Sequence, residues 1–349
     1  MYTREILDPR PSPIEDGIPL QGTWNRAFEM VDLLEIYRPY RFPLPRWARD
    51  NRIKEWECFS VHDDRVFLEA FLCNVKLYRI AQVFLYDKEN GEKYLFRKIL
   101  PGSGWRLPRS LGNAAVDSHS SRFFFRIHSW LDADTIKLDL DIQAARRRPP
   151  LTAHLAYNMN RQHVAPMAVS LGFTERRNMY AFKVMAAVRG DMVFNGRHIS
   201  LGQDHCSGIF CDYKGFFPYR MREQACSAAG FDAEGRRFGF HIAENQTRET
   251  HKNNENALWV NGRLTPLPPV RITMPEGPES DWIIQDVEGM VDLVFTPKMQ
   301  NRARAEFVFT SAEFDAPLGQ YNGMLMSAGG EQIQVRGLIG MGEKLYLRV

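Results

Sequence analysis

Apolar and polar residues alternate along much of the chain with a period of two. Between residues 135 and 144, four aliphatic residues alternate with charged or polar ones, which places the aliphatics on one face of a predicted strand. Shorter runs around Phe182, Phe238 and Ile333 repeat the alternation. The pattern predicts many strands, each with an apolar face that must be covered.

Tight-turn signals lie near these runs. Asn-Gly pairs occur at 90–91, 195–196 and 261–262, and a Gly-Gly pair occurs at 329–330. Such pairs accept the positive φ angles of the two-residue turns that join antiparallel strands. Helical periodicity is scarce, with one weak candidate at 26–36. We therefore predict an all-β protein of two consecutive antiparallel sandwich or barrel halves, with very little helix.

The best candidate for a domain boundary is the segment 146–150, which contains three arginines and then two prolines. Proline cannot donate to a strand ladder, and a run of charges does not enter a core. We predict an N-terminal β domain at 1–148 and a C-terminal β domain at 149–349.

Composition narrows the classes of function. The 45 basic and 42 acidic residues give a formal net charge of +3, too small to draw the protein to nucleic acid. The five cysteines include no C-x-x-C pair, which argues against a disulfide framework and a structural zinc site. The first residues are acidic and rich in proline, unlike a signal peptide, and no apolar stretch is long enough to span a bilayer. We expect a cytoplasmic protein.

Familiar catalytic motifs are absent from the sequence: it contains no G-x-S-x-G, no H-E-x-x-H, no Walker loop and no G-x-G-x-x-G. The nearest approach to a metal cluster is Asp204, His205, Cys206 and Cys211. Adjacent residues of a strand point to opposite faces, so these side chains cannot easily bind one ion. We expect neither a metal site nor a cofactor.

The segment 204–230 mixes charged and aromatic residues without clean alternation. In an all-β protein, such a mixture beside glycines is typical of a cavity mouth, where apolar walls meet a few orienting polar groups. A β-bulge with a buried ion pair between Asp212 and Arg220 explains the segment equally well.

A second polar cluster, 253–256, runs directly into a predicted strand and turn.

Asp212, Tyr219 and Glu255 are our candidate catalytic residues. Aromatic and polar residues of the same two regions are the candidate substrate-binding residues: His205, Phe210, Lys214, Phe217, Arg220, Asn256 and Trp259.

Three stretches, at 212–220, 237–240 and 255–262, resemble the signature of the family called domain of unknown function 2804. Shorter similarities near the N-terminus and after Val291 extend the resemblance over nearly the whole chain. More remotely, 208–212 followed by Gly215 is similar to the aromatic-x-Asp-x-x-x-Gly region of lipocalin-like double-barrel proteins, which include carotenoid hydratases and cyclases. This second resemblance implies lipocalin-like (calycin) barrel halves and an acid at Asp212.

Our leading hypothesis is a cofactor-independent lyase or isomerase, a hydratase, dehydratase or cyclase, that acts on an apolar small molecule in a β-lined cavity. Burial raises the pKa of a carboxyl group, so Asp212 could donate a proton to an alkene or a hydroxyl. Tyr219 and Glu255 would then orient water or take the proton back. A nearby Lys214 or Arg220 would oppose this by favouring the carboxylate.

Two other hypotheses remain open. In the first, the protein is a non-catalytic carrier of an apolar ligand, and Asp212 has only a structural ion pair. In the second, it is a carbohydrate-binding sandwich, which requires that Trp24, Trp56, Trp105 and Trp259 lie on an open face.

Overall fold

The computed structural model describes residues 2–40, 42–102, 105–145, 148–160, 163–202, 204–306 and 311–348. Within these residues nearly all regular structure is β-strand, which confirms the all-β prediction. One short helix, α1 (Arg46–Arg52), and two 3-10 turns, Leu33–Glu35 and Leu131–Ala133, complete the described elements. None of the helices in these ranges is long and apolar enough to cross a membrane.

The strands form a small ribbon and two large sheets. The ribbon consists of β1 (Ile14–Glu15) and β2 (Ile18–Pro19). The first large sheet contains thirteen strands: β3 (Gly22–Trp24), β4 (Lys54–His62), β5 (Val66–Asn74), β6 (Tyr78–Asp87), β7 (Glu92–Pro101), β8 (Ala114–Ser120), β9 (Phe123–Trp130), β10 (Thr135–Ile142), β11 (Leu151–Asn158), β12 (Met167–Gly172), β13 (Asn178–Phe194), β14 (Arg197–Leu201) and β15 (Ser207–Gly215).

The second large sheet contains eleven strands, all from the remainder of the chain. They are β16 (Arg220–Phe231), β17 (Arg237–Glu244), β18 (Ala257–Val260), β19 (Arg263–Pro266), β20 (Arg271–Thr273), β21 (Trp282–Gln285), β22 (Val291–Met299), β23 (Arg302–Glu306), β24 (Ser311–Asp315), β25 (Leu318–Met326) and β26 (Gln332–Arg348).

Both sheets are antiparallel and curl into half-barrels. The main path of the first half-barrel runs β7-β6-β5-β4-β15-β13-β11-β10-β9-β8, and that of the second runs β19-β18-β17-β16-β26-β25-β22-β21-β20. Each half-barrel surrounds an apolar core of its own. The predicted architecture of two consecutive lipocalin-like halves is therefore confirmed.

Local sequence signals explain many of these elements. In β10, Ile136, Leu138 and Leu140 are fully buried, whereas Lys137 and Asp141 on the opposite face are exposed. Both residues of the turns at 195–196 and 261–262 have positive φ, as predicted for an Asn-Gly turn. At 90–91 and 329–330, only the second residue of each pair, a glycine, adopts positive φ.

The central strands of the first half-barrel are buried on both faces. Every residue of β15 is buried, because its inner face packs in the first core and its outer face packs against the second half-barrel. The layer between the half-barrels includes Met185 and Ile209 from the first sheet and Met221 and Trp259 from the second. This layer positions the site described below.

The chain passes from the first sheet to the second between β15 and β16. Strands β10 and β11, on either side of the segment 146–150, pair directly with each other. That segment therefore connects two strands of one sheet, and the boundary predicted at 148–149 does not coincide with the division between the sheets. Its first two arginines, Arg146 and Arg147, lie outside the described residues.

The weak helix predicted at 26–36 is not formed. The segment is irregular except for the 3-10 turn at Leu33–Glu35, where the Asp32 carboxylate accepts a hydrogen bond from the N–H of Leu34. Five of its apolar side chains pack into the first core, too many for one face of a short helix: Phe28, Val31, Leu33, Leu34 and Ile36.

Candidate functional site

A cavity of about 430 Å³ lies between the two half-barrels. Strands β4 to β7 and β15 form one wall, and β16, β17, β23, β24 and β26 form the other. Much of the lining is aromatic or aliphatic, and the rings of Phe71 and Phe314 stack across the gap with their centroids 6.4 Å apart. The volume falls within the range of small-molecule sites, roughly 300–1,000 Å³.

Three glutamates lie in the wall of this cavity, and we call them the cavity carboxyls: Glu69 on β5, Glu223 on β16 and Glu343 on β26. Burial raises the pKa of Glu69 to about 8, and the charge of Glu343 contributes. Burial raises the pKa of Glu343 to about 7, against the opposing effect of Lys183. The pKa of Glu223 is raised well above its ordinary value, first by burial and then by the charges of Glu255 and Glu343.

These shifts give the cavity carboxyls protons near neutral pH. Glu69 is mainly neutral there and Glu343 is close to half-protonated, while the pKa of Glu223 is shifted in the same direction. Within the described part of the chain, Oε2 of Glu223 is buried without a hydrogen-bond partner. The cavity can therefore present carboxylic acids, rather than carboxylates, to an apolar molecule.

A hydrogen-bonded network closes the inner end of the cavity. The Tyr213 hydroxyl donates to Oε2 of Glu255 at 2.7 Å and lies 3.2 Å from Nε2 of His241. Nζ of Lys183 donates to the same carboxylate oxygen at 2.6 Å, and Nδ2 of Asn245 donates to Oε1 at 2.6 Å. The network joins β13 and β15 of the first sheet to β17 and the loop before β18 of the second.

Two members of this network, Tyr213 and His241, reach the cavity wall. Burial lowers the pKa of His241 well below its ordinary value, and the charge of Lys183 lowers it further. The imidazole is therefore neutral near pH 7 and can accept a proton. Glu255, one of the predicted catalytic residues, is fully buried behind Tyr213 and holds the Tyr213 hydroxyl in place.

Asp212 lies on the opposite face of β15. Side chains alternate along a strand, so Cys211 and Tyr213 face the cavity while Asp212 and Lys214 face the interior of the first half-barrel. Nζ of Lys214 donates to both carboxylate oxygens of Asp212. The ion pair that we predicted between Asp212 and Arg220 is therefore made with Lys214 instead, and Arg220 is exposed.

A further buried carboxyl group accompanies this ion pair. Glu57 on β4 lies directly opposite Asp212, and Glu57, Asp212 and Lys214 form what we call the interior cluster. Neither carboxyl oxygen of Glu57 has a hydrogen-bond partner among the described residues. Burial raises the pKa of Glu57 well above its ordinary value, and the charge of Asp212 adds to the shift. Burial also raises the pKa of Asp212, although Lys214 opposes it.

The remaining predicted residues lie in packing positions or at the surface. Phe210 belongs to the first core, and Phe217 stacks on Trp56 with centroids 5.1 Å apart. The indole N–H of Trp259 donates to the carbonyl of Ala165. The side chain of Asn256 binds two backbone groups, the N–H of Ala243 and the carbonyl of Pro268. Tyr219 is 52% exposed, and His205 is exposed.

The four tryptophans on which the carbohydrate-binding hypothesis depends are not exposed. Trp24 and Trp259 are buried, and Trp56 and Trp105 are half-buried. Among the residues with described positions, no group of three or more histidine, cysteine, aspartate or glutamate side chains is arranged to hold a metal ion.

The sequence interpretation named neither the cavity carboxyls nor Lys183 as candidate residues, although Glu223 lies in the segment 204–230 that was interpreted as a cavity mouth. For two of them a signal exists, since Glu69 and Lys183 each interrupt an apolar run of a strand, in β5 and β13. Charged residues are almost never fully buried without a partner, so such positions indicate a special environment. Glu223 and Glu343 lie in mixed sequence and give no comparable signal.

The sequence profile described as "Domain of unknown function (DUF2804)" matches residues 11–348. No curated protein matches the sequence. Among solved structures, "Crystal structure of CghA" and "Crystal structure of CghA with Sch210972" are similar to the fold, with TM-scores of 0.51 and 0.52. In both, the identity is 13%, and the match covers 87% of this chain and 91% of the other. Kievitone hydratase from Nectria haematococca has a TM-score of 0.49 at 10% identity, over 84% and 88% of the two chains.

Proposed function

This chain belongs to the DUF2804 family, and we propose that it is a lyase or isomerase: a hydratase, dehydratase or cyclase that works without a cofactor on an apolar small molecule. The observation that supports this proposal best is the set of cavity carboxyls. An apolar cavity of suitable volume holds three acids whose pKa values are raised toward or above neutrality. Such groups are the acids that general acid catalysis at neutral pH requires.

Glu223 and Glu343 are the strongest candidates for the acid. They lie on the neighbouring strands β16 and β26, where Glu223 faces Leu345 and Ala225 faces Glu343, so the two carboxyl groups are diagonal neighbours on one face. Two carboxyl groups that share a site keep one proton between them over a wide pH range, because both cannot easily ionise. One group can thus donate while the other accepts.

In the hydration direction, a cavity carboxyl donates its proton to one carbon of an alkene, and the resulting cation adds water. The added water loses a proton to the neighbouring carboxylate, so that the pair again shares one proton. If neutral His241 accepts the proton first, it passes the proton on to that carboxylate before the next turnover. Dehydration is the reverse sequence, with the proton donated to the leaving hydroxyl. In cyclisation a second double bond of the same molecule replaces the water, and the new cation loses a proton from a neighbouring carbon to the carboxylate. Tyr213, fixed by Glu255, orients the water or the hydroxyl.

Asp212 does not carry the acid role in this proposal, because it faces away from the cavity and is paired with Lys214. Glu255 is a positioning residue that acts through Tyr213. The similar structure of CghA with Sch210972 supports a ligand-holding fold, because that structure combines the neighbouring protein with a compound.

The first test is native mass spectrometry of the protein purified from its own cell extract, followed by identification of any retained compound. We expect one apolar compound per chain. Prolonged incubation with the isolated protein should convert that compound to a product that gains or loses water, or to an isomer of equal mass. A preparation that retains nothing and binds no apolar compound would contradict the proposal.

A non-catalytic carrier of an apolar ligand is the second candidate. The observation that favours it is the ion pair of Asp212 with Lys214, which removes the predicted acid from the cavity. The carrier proposal predicts that the retained compound stays unchanged in mass and retention time, whereas the enzyme proposal predicts conversion.

A further inference from the structure

The two ends of the cavity differ in charge. Its inner end holds the cavity carboxyls and neutral His241, whereas its outer end is lined by arginines on the edge strands of both sheets: Arg97 on β7, and Arg302 and Arg304 on β23. Phe71 and Phe314, stacked across the gap, belong to the wall strands β5 and β24. A ligand in this cavity therefore meets an apolar, acidic interior at one end and cations at the other.

Arg97 faces the cavity directly. It lies opposite Gln82, which in turn lies opposite Phe71, so the three side chains share one face of the first sheet. Its Nε donates to Oε1 of Gln82 at 2.6 Å, which fixes the plane of the guanidinium group. With Nε engaged by Gln82, the two terminal nitrogens are left to bind a ligand.

Arg97 is half-buried and has no carboxylate partner among the residues that the structure describes. Burial lowers the pKa of Arg97, and the charge of another cation, Arg148, lowers it further. Arg302, by contrast, is neutralised by Glu279 and Asp315. A half-buried cation without a counterion is unfavourable, so a bound anion is stabilised at Arg97.

We propose that the ligand of this cavity is an apolar molecule with one carboxylate, bound with its carboxylate at Arg97 and its apolar body toward Glu223 and Glu343. This inference rests on the proposed function and names its substrate class. A planar guanidinium group matches a carboxylate with two parallel hydrogen bonds. The cavity carboxyls do not repel such a ligand while they remain protonated, and the reacting double bond or hydroxyl lies at the end of the molecule remote from the carboxylate.

The test uses a neutral fluorescent probe, N-phenyl-1-naphthylamine, and its displacement by two ligands of equal length, dodecanoic acid and dodecan-1-ol. We expect the acid to displace the probe at a concentration about tenfold lower than the alcohol, since a hydrogen-bonded charge is worth about that factor or more. Arg97→Gln should abolish this preference by weakening the acid alone. Arg97→Lys should retain part of it.

Arg271→Gln is the matched control, because Arg271 is an exposed arginine paired with Glu244 outside the cavity lining. It should leave both displacement curves unchanged. Equal displacement by acid and alcohol in the native protein would overturn the carboxylate inference and leave the apolar cavity standing. Failure of the probe and of both ligands to bind at all would overturn the proposed function as well.

Discussion

Strand β15 has a polar site on each of its faces, and the two sites balance their charges differently. In the interior cluster, Lys214 binds both oxygens of Asp212, and the space lined by Lys214 is only about 40 Å³. On the other face, Tyr213 borders a cavity of about 430 Å³. Among the residues that the structure describes, none forms an ion pair with a cavity carboxyl. The first arrangement is a closely packed ion pair, whereas the second combines room for a ligand with carboxyl groups whose pKa values are raised.

The comparison shows that a perturbed pKa is not by itself the mark of an active site. Glu57 in the interior cluster and Glu223 in the cavity both have pKa values raised well above the ordinary range, and for the same first cause, burial. What separates them is the space that each carboxyl group faces. Shifted groups are therefore best ranked together with the volume that a substrate could occupy.

Lys214→Met should produce the largest change in stability. It removes the cation that binds Asp212 and leaves a buried carboxyl group beside Glu57, which costs about 3–5 kcal/mol of the free energy of unfolding. Urea denaturation at pH 7 measures this. The double variant Asp212→Asn with Lys214→Met should lose less, because no charge is left unpaired. Binding of N-phenyl-1-naphthylamine by the folded Lys214→Met variant should be unchanged. Weakened binding would mean that the interior cluster affects the cavity, and it would contradict the separation of the two sites.

The next largest effect is a dependence of stability on pH. The folded pKa values of Glu69 and Glu343, about 8 and about 7, exceed the ordinary value of 4.5. The folded state therefore holds more protons than the unfolded state between pH 5 and 7, and stability falls as the pH rises through this window. Replacement of Glu69 by Gln should reduce the slope by about 1.4 kcal/mol per pH unit.

Urea denaturation at several pH values gives this slope for the native protein and for Glu69→Gln. An unchanged slope in the variant would mean that Glu69 is already ionised in the folded protein at pH 5. In that case Glu69 would not be one of the acids of the cavity, and the charges of the cavity would resemble those of the interior cluster more closely.

The smallest effects should come from Tyr219→Phe and Arg220→Ala. Both residues are exposed and lie beyond both polar sites, so each change should alter the free energy of unfolding by less than about 0.5 kcal/mol. Turnover of a retained compound should also be unaffected. A clear loss of turnover in either variant would mean that the segment around Tyr219 takes part in the reaction. That result would contradict our assignment of the active site to the cavity.

Sequence patterns predicted the strands well where one face of the strand is exposed to solvent. In β10 the alternation of Ile136, Leu138 and Leu140 with polar residues reports which face is buried, because water covers the other. The same reasoning fails for β15, whose two faces are both buried. Its mixed sequence reflects contacts with the first core on one face and with the second half-barrel on the other. The local sequence does not indicate which of these two faces borders a cavity.

The candidate site was predicted only in part for the same reason. Asp212 and Glu255 were predicted as catalytic residues, and both are buried. The partners that decide their roles, Lys214 and Lys183, depend on strand register and on how the two sheets stack. Glu223 and Glu343 come together through the pairing of β16 with β26, more than a hundred residues apart in the chain. Such long-range pairing leaves no trace in a local pattern.

The most direct test compares one chemical change on the two faces: Glu343→Gln and Glu223→Gln in the cavity, and Glu57→Gln in the interior cluster. The measurement is the rate at which each variant converts the compound retained by the native protein. We predict that the cavity variants still bind the compound but lose a factor of about 10²–10⁴ in rate, whereas Glu57→Gln stays close to the native rate. Native rates in both cavity variants, or a comparable loss in Glu57→Gln, would contradict the account.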